Sequence, residues 1–208
     1  MTYIIPIGQE CEISFLLQSC KLKHETQLFE WFLTEQFGDI CKIINNISIN
    51  KPITLGGKNN VYFENTKIHS GHYTLNEFKP ICYRRTNRLK KYILENNLIL
   101  FVRLFTCTKF FDNDMIDNNL INSFTNSINR INPNCNFKIL ILSKKDVYTI
   151  KHEKVIVYNH FKQDDFLNII KENCENNMPL FSDKNNKFNA TRVEAKKKGK
   201  LELDDTDL

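Results

Sequence analysis

The sequence predicts an α/β fold, a single domain over residues 1–181 in which a mixed or mostly parallel sheet is flanked by helices. Three observations carry this expectation. Leu98 to Phe105 (LILFVRLF) is a continuous apolar run broken only by Arg103, the pattern of a central strand covered on both faces. Leu120, Ile121, Phe124, Ile128 and Ile131 then trace one face of a helix that Asn132-Pro133 stops. Phe137 to Leu142 and Val155 to Tyr158 read as two further buried strands, and Asp164-Asp165 opens a last helix through Phe166, Ile170 and Cys174. Strands alternating with helices in this way are usually parallel, with right-handed crossovers.

The first half is read element by element. Tyr3 to Ile7 is a short buried strand, Gly8 permits a tight exit, and Ile13, Leu16, Leu17 and Cys20 fall at helical spacing. The aromatic run Leu28 to Leu33 leads into Phe37, Ile40, Cys41 and Ile44 at i, i+3, i+4, i+7, so this part is expected to be helical, ending near Asn45-Asn46. Glu30 is a lone carboxylate inside that run, either the polar stripe of a surface helix or a buried group with a specific partner. Lys51-Pro52, Gly56-Gly57 and Asn59-Asn60 punctuate short β-favouring runs at Ile53 to Leu55 and Val61 to Phe63, as in a hairpin or small irregular sheet. Tyr83 to Leu89 (YRRTNRL) enters a further helix with Leu89, Tyr92 and Ile93 on one face.

Composition narrows the function classes. The 208 residues are 41% hydrophobic, enough to bury a core, and no apolar stretch approaches the length of a membrane span. The N-terminus lacks a basic segment followed by an apolar run, and seven cysteines lie scattered without regular spacing. Together these predict reduced thiols in an intracellular compartment, a cytoplasm or host cytoplasm, with no membrane partner. Net charge is +5, but Thr191 to Leu208 holds five basic and five acidic residues, so the excess is spread through the rest of the chain. Nucleic-acid binding normally shows a clustered basic face, and that class is set aside. From Ser182 the apolar pattern fades, and 182–208 is expected to be a polar, disordered tail.

Cys11 is the candidate with the most chemistry. At a helix start a thiol meets the positive end of the helix dipole and unpaired N–H groups, both of which favour thiolate. Composition alone favours an inert, packed cysteine, and Glu10 and Glu12 would oppose a thiolate. His69 and His72 form the only close histidine pair. No other Cys or His group shows ligand spacing, so no zinc and no cofactor is expected. Arg84 and Arg88, four apart, with Arg85 beside them, would form a cationic cluster suited to a carboxylate or phosphate, or else a solvated face. Arg103 is counted with them as a substrate-binding candidate.

The combination of Gly8-x-x-Cys11, Phe29-Glu30-Trp31, a downstream His, Tyr83-x-Arg85-x-x-Arg88 and Leu100-Phe101-Val102-Arg103 resembles the uncharacterised domain family of bacteria and large DNA viruses described as papain-like cysteine peptidases. The resemblance covers most of residues 3–145. Where the family has Asp in the Phe-x-Trp motif, this chain has Glu30. The resemblance implies a thiol hydrolase with Cys11 as nucleophile and a downstream histidine as base. His72 is taken for the base, since Tyr73 and the strand-like flank would fix it in place, with His69 second. Helix-start amides, with Gln9, would hold the oxyanion, and Glu30 or a distal Asn or Asp would be the third member. The resemblance implies a peptide or small-molecule substrate. It also implies a papain-like α+β fold with an antiparallel sheet, at odds with the parallel pattern of the second half. A parallel sheet would still place Cys11 at a strand's carboxyl end, where α/β folds bind ligands. It would favour a sugar- or nucleotide-linked transferase with the arginines as anion clamp. A non-catalytic interaction domain is the third class, and it requires Cys11 buried without a polar partner.

Overall fold

A strand apolar at all but one position must be covered on both faces, and Leu98–Phe105 is buried at all eight positions, Arg103 included. The computed structural model describes residues 2–9, 11–23, 25–58, 60–95, 97–105, 116–144 and 150–174. Within these the chain runs β1 (Thr2–Pro6), α1 (Glu12–Ser19), α2 (Phe37–Ser48), β2 (Leu55–Gly56), β3 (Val61–Phe63), β4 (His69–Ser70), α3 (Leu75–Leu94), β5 (Leu98–Phe105), α4 (Asn118–Ile131), β6 (Phe137–Ser143), β7 (Val155–Tyr158), a 3-10 turn (Gln163–Asp165) and α5 (Phe166–Asn173). The main sheet has the order β1-β5-β6-β7, and every neighbouring pair is parallel. The α/β class with a parallel sheet therefore holds, and Leu98–Phe105 is an interior strand. A second, three-stranded antiparallel sheet, β2-β3-β4, stands beside it.

Register divides the strand residues between two cores, because side chains alternate across a sheet. Ile4, Leu100, Val102, Leu104, Leu140 and Leu142 pack with Ile13, Leu16 and Leu17 of α1 and Phe166 and Ile170 of α5. Ile5, Ile7, Ile99, Phe101, Phe137, Ile139 and Ile141 pack with α2, α3 and α4 through residues such as Ile40, Ile44, Phe78, Ile93, Phe124 and Ile128. The small sheet joins this second core through Val61 and Phe63, where Phe32 meets Phe63 at 5.1 Å and Phe78 at 4.8 Å.

Four local expectations need correction. Residues 28–33 are not helical: they form a turn in which Trp31 has φ +69°, followed by an extended bridge at Leu33. Helix α2 continues to Ser48, past the expected end near Asn45-Asn46. Helix α3 begins at Leu75, well before Tyr83, because Thr74 and Glu77 form a capping box that supplies the first turn's missing hydrogen bonds, and Pro80 is carried inside the helix. Strand β7 is half-buried, as suits the edge of the sheet. The tail over 182–208 and the boundary at 181 lie outside the described residues. Among the described residues no helix is long and apolar enough to cross a membrane.

Two stacked tyrosines tie β1 to α3. The rings of Tyr3 and Tyr92 lie 3.8 Å apart, Tyr3 Oη donates to Glu95 at 2.6 Å, and Tyr92 Oη donates to Glu25 at 2.8 Å. Burial first, and then the carboxylate Glu95, push the Tyr3 phenol up to about 12. Burial first, and then Glu25, push Tyr92 up as well. The folded chain thus holds these protons at a pH where the unfolded chain, with phenols near 10, releases them. Their contribution to stability is complete below about pH 10 and is lost as pH rises toward about 12. Urea midpoints measured between pH 8 and 11.5 should fall above pH 10 in the parent protein, and more shallowly in Tyr3→Phe/Tyr92→Phe. Equal slopes would remove the tyrosines from the account.

Candidate active site

The site begins with the way β1 is held at its exit. The parallel ladder extends to Ile7, whose N–H donates to Val102 O at 2.8 Å. Beyond it, Arg103 donates to Ile7 O at 2.7 Å, to Thr34 O at 3.0 Å and to Thr34 Oγ1 at 3.3 Å, with its guanidinium over the Phe37 ring. Thr34 donates in turn through Oγ1 to Gly8 O and through its N–H to Gln9 O. The turn after β1 is therefore fixed from one side by a buried arginine and a buried threonine. Cys11 follows as the N-cap of α1, its carbonyl accepting from Phe15 N at 3.1 Å. This places the thiol at a carboxyl end of a parallel sheet and at the amino end of a helix, the two features that recur at α/β ligand sites.

The small sheet delivers the histidine. Leu33 and His69 form an antiparallel bridge with main-chain bonds of 2.8 and 3.1 Å, which fixes β4 against the segment after Trp31. Ser70 Oγ donates to Trp31 O at 2.6 Å and accepts from His72 N at 3.1 Å. The Trp31 ring meets the His72 ring edge-on at 5.6 Å, and Phe15 of α1 meets Trp31 edge-on at 5.4 Å. So placed, His72 Nε2 lies 3.9 Å from Cys11 Sγ. The two readings of the base separate here: His72 faces the thiol, whereas His69 directs Nδ1 at Lys67 O, 3.1 Å away.

Glu12, read as an opponent of the thiolate, is engaged elsewhere. Lys144 Nζ lies 3.1 Å from Glu12 Oε1 and Gln163 Nε2 donates to the same oxygen at 2.7 Å, which offsets the carboxylate charge beside the thiol. Glu10 lies outside the described residues. A groove of about 480 Å³ is lined by Cys11, Glu12, Phe15, Leu16, Ser19, Leu33 and Gln163.

The remaining sequence-derived candidates fall into other roles. Glu30 is buried, accepts from Gln27 N at 2.7 Å and pairs with Lys23 at 2.7 Å, and Lys23 in turn sits 5.2 Å over the Trp31 ring. It reaches the histidine only through Lys23 and Trp31. Gln9 is fully buried, with its main-chain carbonyl bonded to Thr34. The arginine clamp is not what α3 builds. Arg85 turns inward, donates to Tyr73 Oη at 3.1 Å and stacks on Tyr73 and Phe78. Arg88 pairs with Glu25 and donates to Thr26 O, half-buried Arg84 lies one residue before Arg85, and Arg103 is spent on β1. None of the four lines the groove. Among the described residues no three His, Cys, Asp or Glu side chains converge to hold a metal ion.

Phe15, Leu33 and Ser70 were not singled out by sequence, whereas Trp31 was, within Phe29-Glu30-Trp31. For Phe15 a signal was present, since it follows Cys11 by four residues and so shares its helix face. For Leu33 and Ser70 the signal is tertiary. No family model, curated protein or solved structure matches the chain.

Proposed function

We propose that the chain is a thiol hydrolase of papain-like chemistry that uses Cys11 as nucleophile and His72 as general base. The observation that carries the reading is the 3.9 Å approach of His72 Nε2 to Cys11 Sγ at a helix start that opens onto a groove. Burial without a polar partner, which an interaction domain would require, does not describe a half-buried thiol facing an imidazole. In the reaction His72 takes the thiol proton and the thiolate attacks the substrate carbonyl carbon. The first-turn amides of α1, which a helix leaves without internal acceptors, stabilise the oxyanion. The imidazolium then protonates the leaving group, a thioester acyl-enzyme remains, and water activated by the same imidazole releases the acid and restores the thiol.

Alkylation with iodoacetamide, mapped by mass spectrometry, tests this directly. Burial holds the Cys82 and Cys135 thiols up at about 11 and raises Cys174, so these stay protonated and unlabelled near neutral pH. Among the described residues, label should concentrate at Cys11 over the other half-buried cysteine, Cys20. His72→Ala should slow labelling of Cys11 by about tenfold or more. Equal labelling of Cys11 and Cys20 that His72→Ala leaves unchanged would rule the reading out.

A further inference from the structure

The groove at Cys11 has a chemical character that narrows the substrate beyond "a carbonyl". Cys11, Glu12, Phe15, Leu16 and Ser19 lie along one stripe of α1, and Leu33 and Gln163 complete the lining from other parts of the chain. From Cys11 to Ser19 the helix rises about 12 Å. Phe15 is 55% exposed and Leu33 37% exposed, both large apolar side chains left facing water at the very place where the thiol opens. Past the first-turn amides assigned to the oxyanion, the main chain along Phe15, Leu16 and Leu33 is engaged. Phe15 N bonds Cys11 O, Cys20 N and Ser19 Oγ both bond Leu16 O, and Leu33 exchanges both its bonds with His69.

That last fact separates two kinds of occupant. An extended peptide laid along the stripe would need main-chain partners for its own N–H and C=O groups, and a helix flank with closed hydrogen bonds offers none. A hydrocarbon chain needs only apolar contact. Resting on the thiol hydrolase reading above, we propose that the enzyme acts on acyl esters or thioesters, with an unbranched aliphatic acyl chain lying along Phe15, Leu16 and Leu33. A length of about 12 Å suits a chain on the order of eight to ten carbons. The carbonyl carbon is attacked by Cys11 sulfur, the carbon–oxygen or carbon–sulfur bond to the leaving group breaks, and the departing alcohol or thiol takes its proton from His72. Water then cleaves the acyl-enzyme, giving the carboxylic acid and the free thiol.

The test uses N-methyl, N-butyl and N-octyl iodoacetamide, with an iodoacetylated Leu-Val-Leu amide as peptide comparator, on the full chain. The second-order rate of Cys11 modification should climb about two- to fourfold per methylene, with the octyl reagent outrunning the tripeptide. Phe15→Asp and Leu33→Asp should flatten that slope, and Phe15→Leu should keep it. These positions are partly exposed, so the fold tolerates the change. An octyl rate equal to the methyl rate, a faster tripeptide, or a slope unaltered in Phe15→Asp would overturn the acyl proposal while selective labelling of Cys11 left the thiol reading standing. Indiscriminate labelling of Cys11 and Cys20 by every reagent would end both.

Discussion

Replacing Arg103 by alanine should remove on the order of 3–5 kcal/mol of folding stability. Arg103 is fully buried, and its side chain is the hydrogen-bond donor that closes Ile7 O and Thr34 O below the turn leading to Cys11. Deleting it leaves buried carbonyls without that donor, each at a cost of about 1–3 kcal/mol, and opens a void against Phe37. Arg103→Lys should recover only part of the loss, since one ammonium does not reproduce two divergent N–H groups. Urea unfolding with the slope held fixed is the measurement. A loss below about 1 kcal/mol for the alanine variant would mean that water or a neighbouring residue replaces the guanidinium. The same variants bear on the proposed chemistry, because the turn that Arg103 secures leads to Cys11.

Cys11→Ser should abolish turnover of an ester substrate by at least about a thousandfold while leaving the melting temperature within a few degrees. The substitution is nearly isosteric and the site is half-buried, so little packing is at stake, whereas an alcohol paired with one imidazole is a far weaker nucleophile than a thiol. His72→Ala should lose a comparable factor, and the double variant should be little worse than either single one, because the two groups act as a unit. Additive losses would show that they act separately. A Cys11→Ser protein that unfolds and leaves activity unchanged would make the thiol a core residue.

How much of this was legible in the sequence depends on where the determining contacts lie. Leu98–Phe105 was readable because a doubly covered strand writes its burial into consecutive residues, and β6 announced itself in the same way. The segment 28–33 was misread because aromatic density carries no period of its own, and what shapes it is the left-handed turn at Trp31 and the bridge from Leu33 to His69. The start of α3 is written in Thr74-x-x-Glu77, upstream of the Tyr83 entry expected, and the helix carries Pro80 with its missing N–H inside it. Cys11 was recognisable from its place after a strand and a glycine, and His72 from the histidine pair it forms with His69, while the contacts that turn His72 toward the thiol and His69 toward Lys67 O are tertiary. Arginines mislead most. Arg85 and Arg103 look like anion ligands in one dimension, and in three they are interior donors to a tyrosine and to main-chain carbonyls.

The reacting pair is also a statement about assembly. Cys11 and His72 are 61 positions apart, one carried by the parallel sheet and the other by the three-stranded sheet, whose hold on the segment after Trp31 includes the Leu33–His69 bridge and the Ser70–Trp31 bond. Closing a loop of that length comes after local structure has formed, so thiol activation is a late event in refolding. In a refolding experiment pulsed with alkylating reagent, enhanced reactivity of Cys11 should lag behind the recovery of sheet and helix signal. A transient opening of the small sheet would separate base from nucleophile and would draw Val61 and Phe63 out of the second core, leaving the core under α1 and α5 intact. The proposed activity would then depend on the stability of the least regular part of the fold.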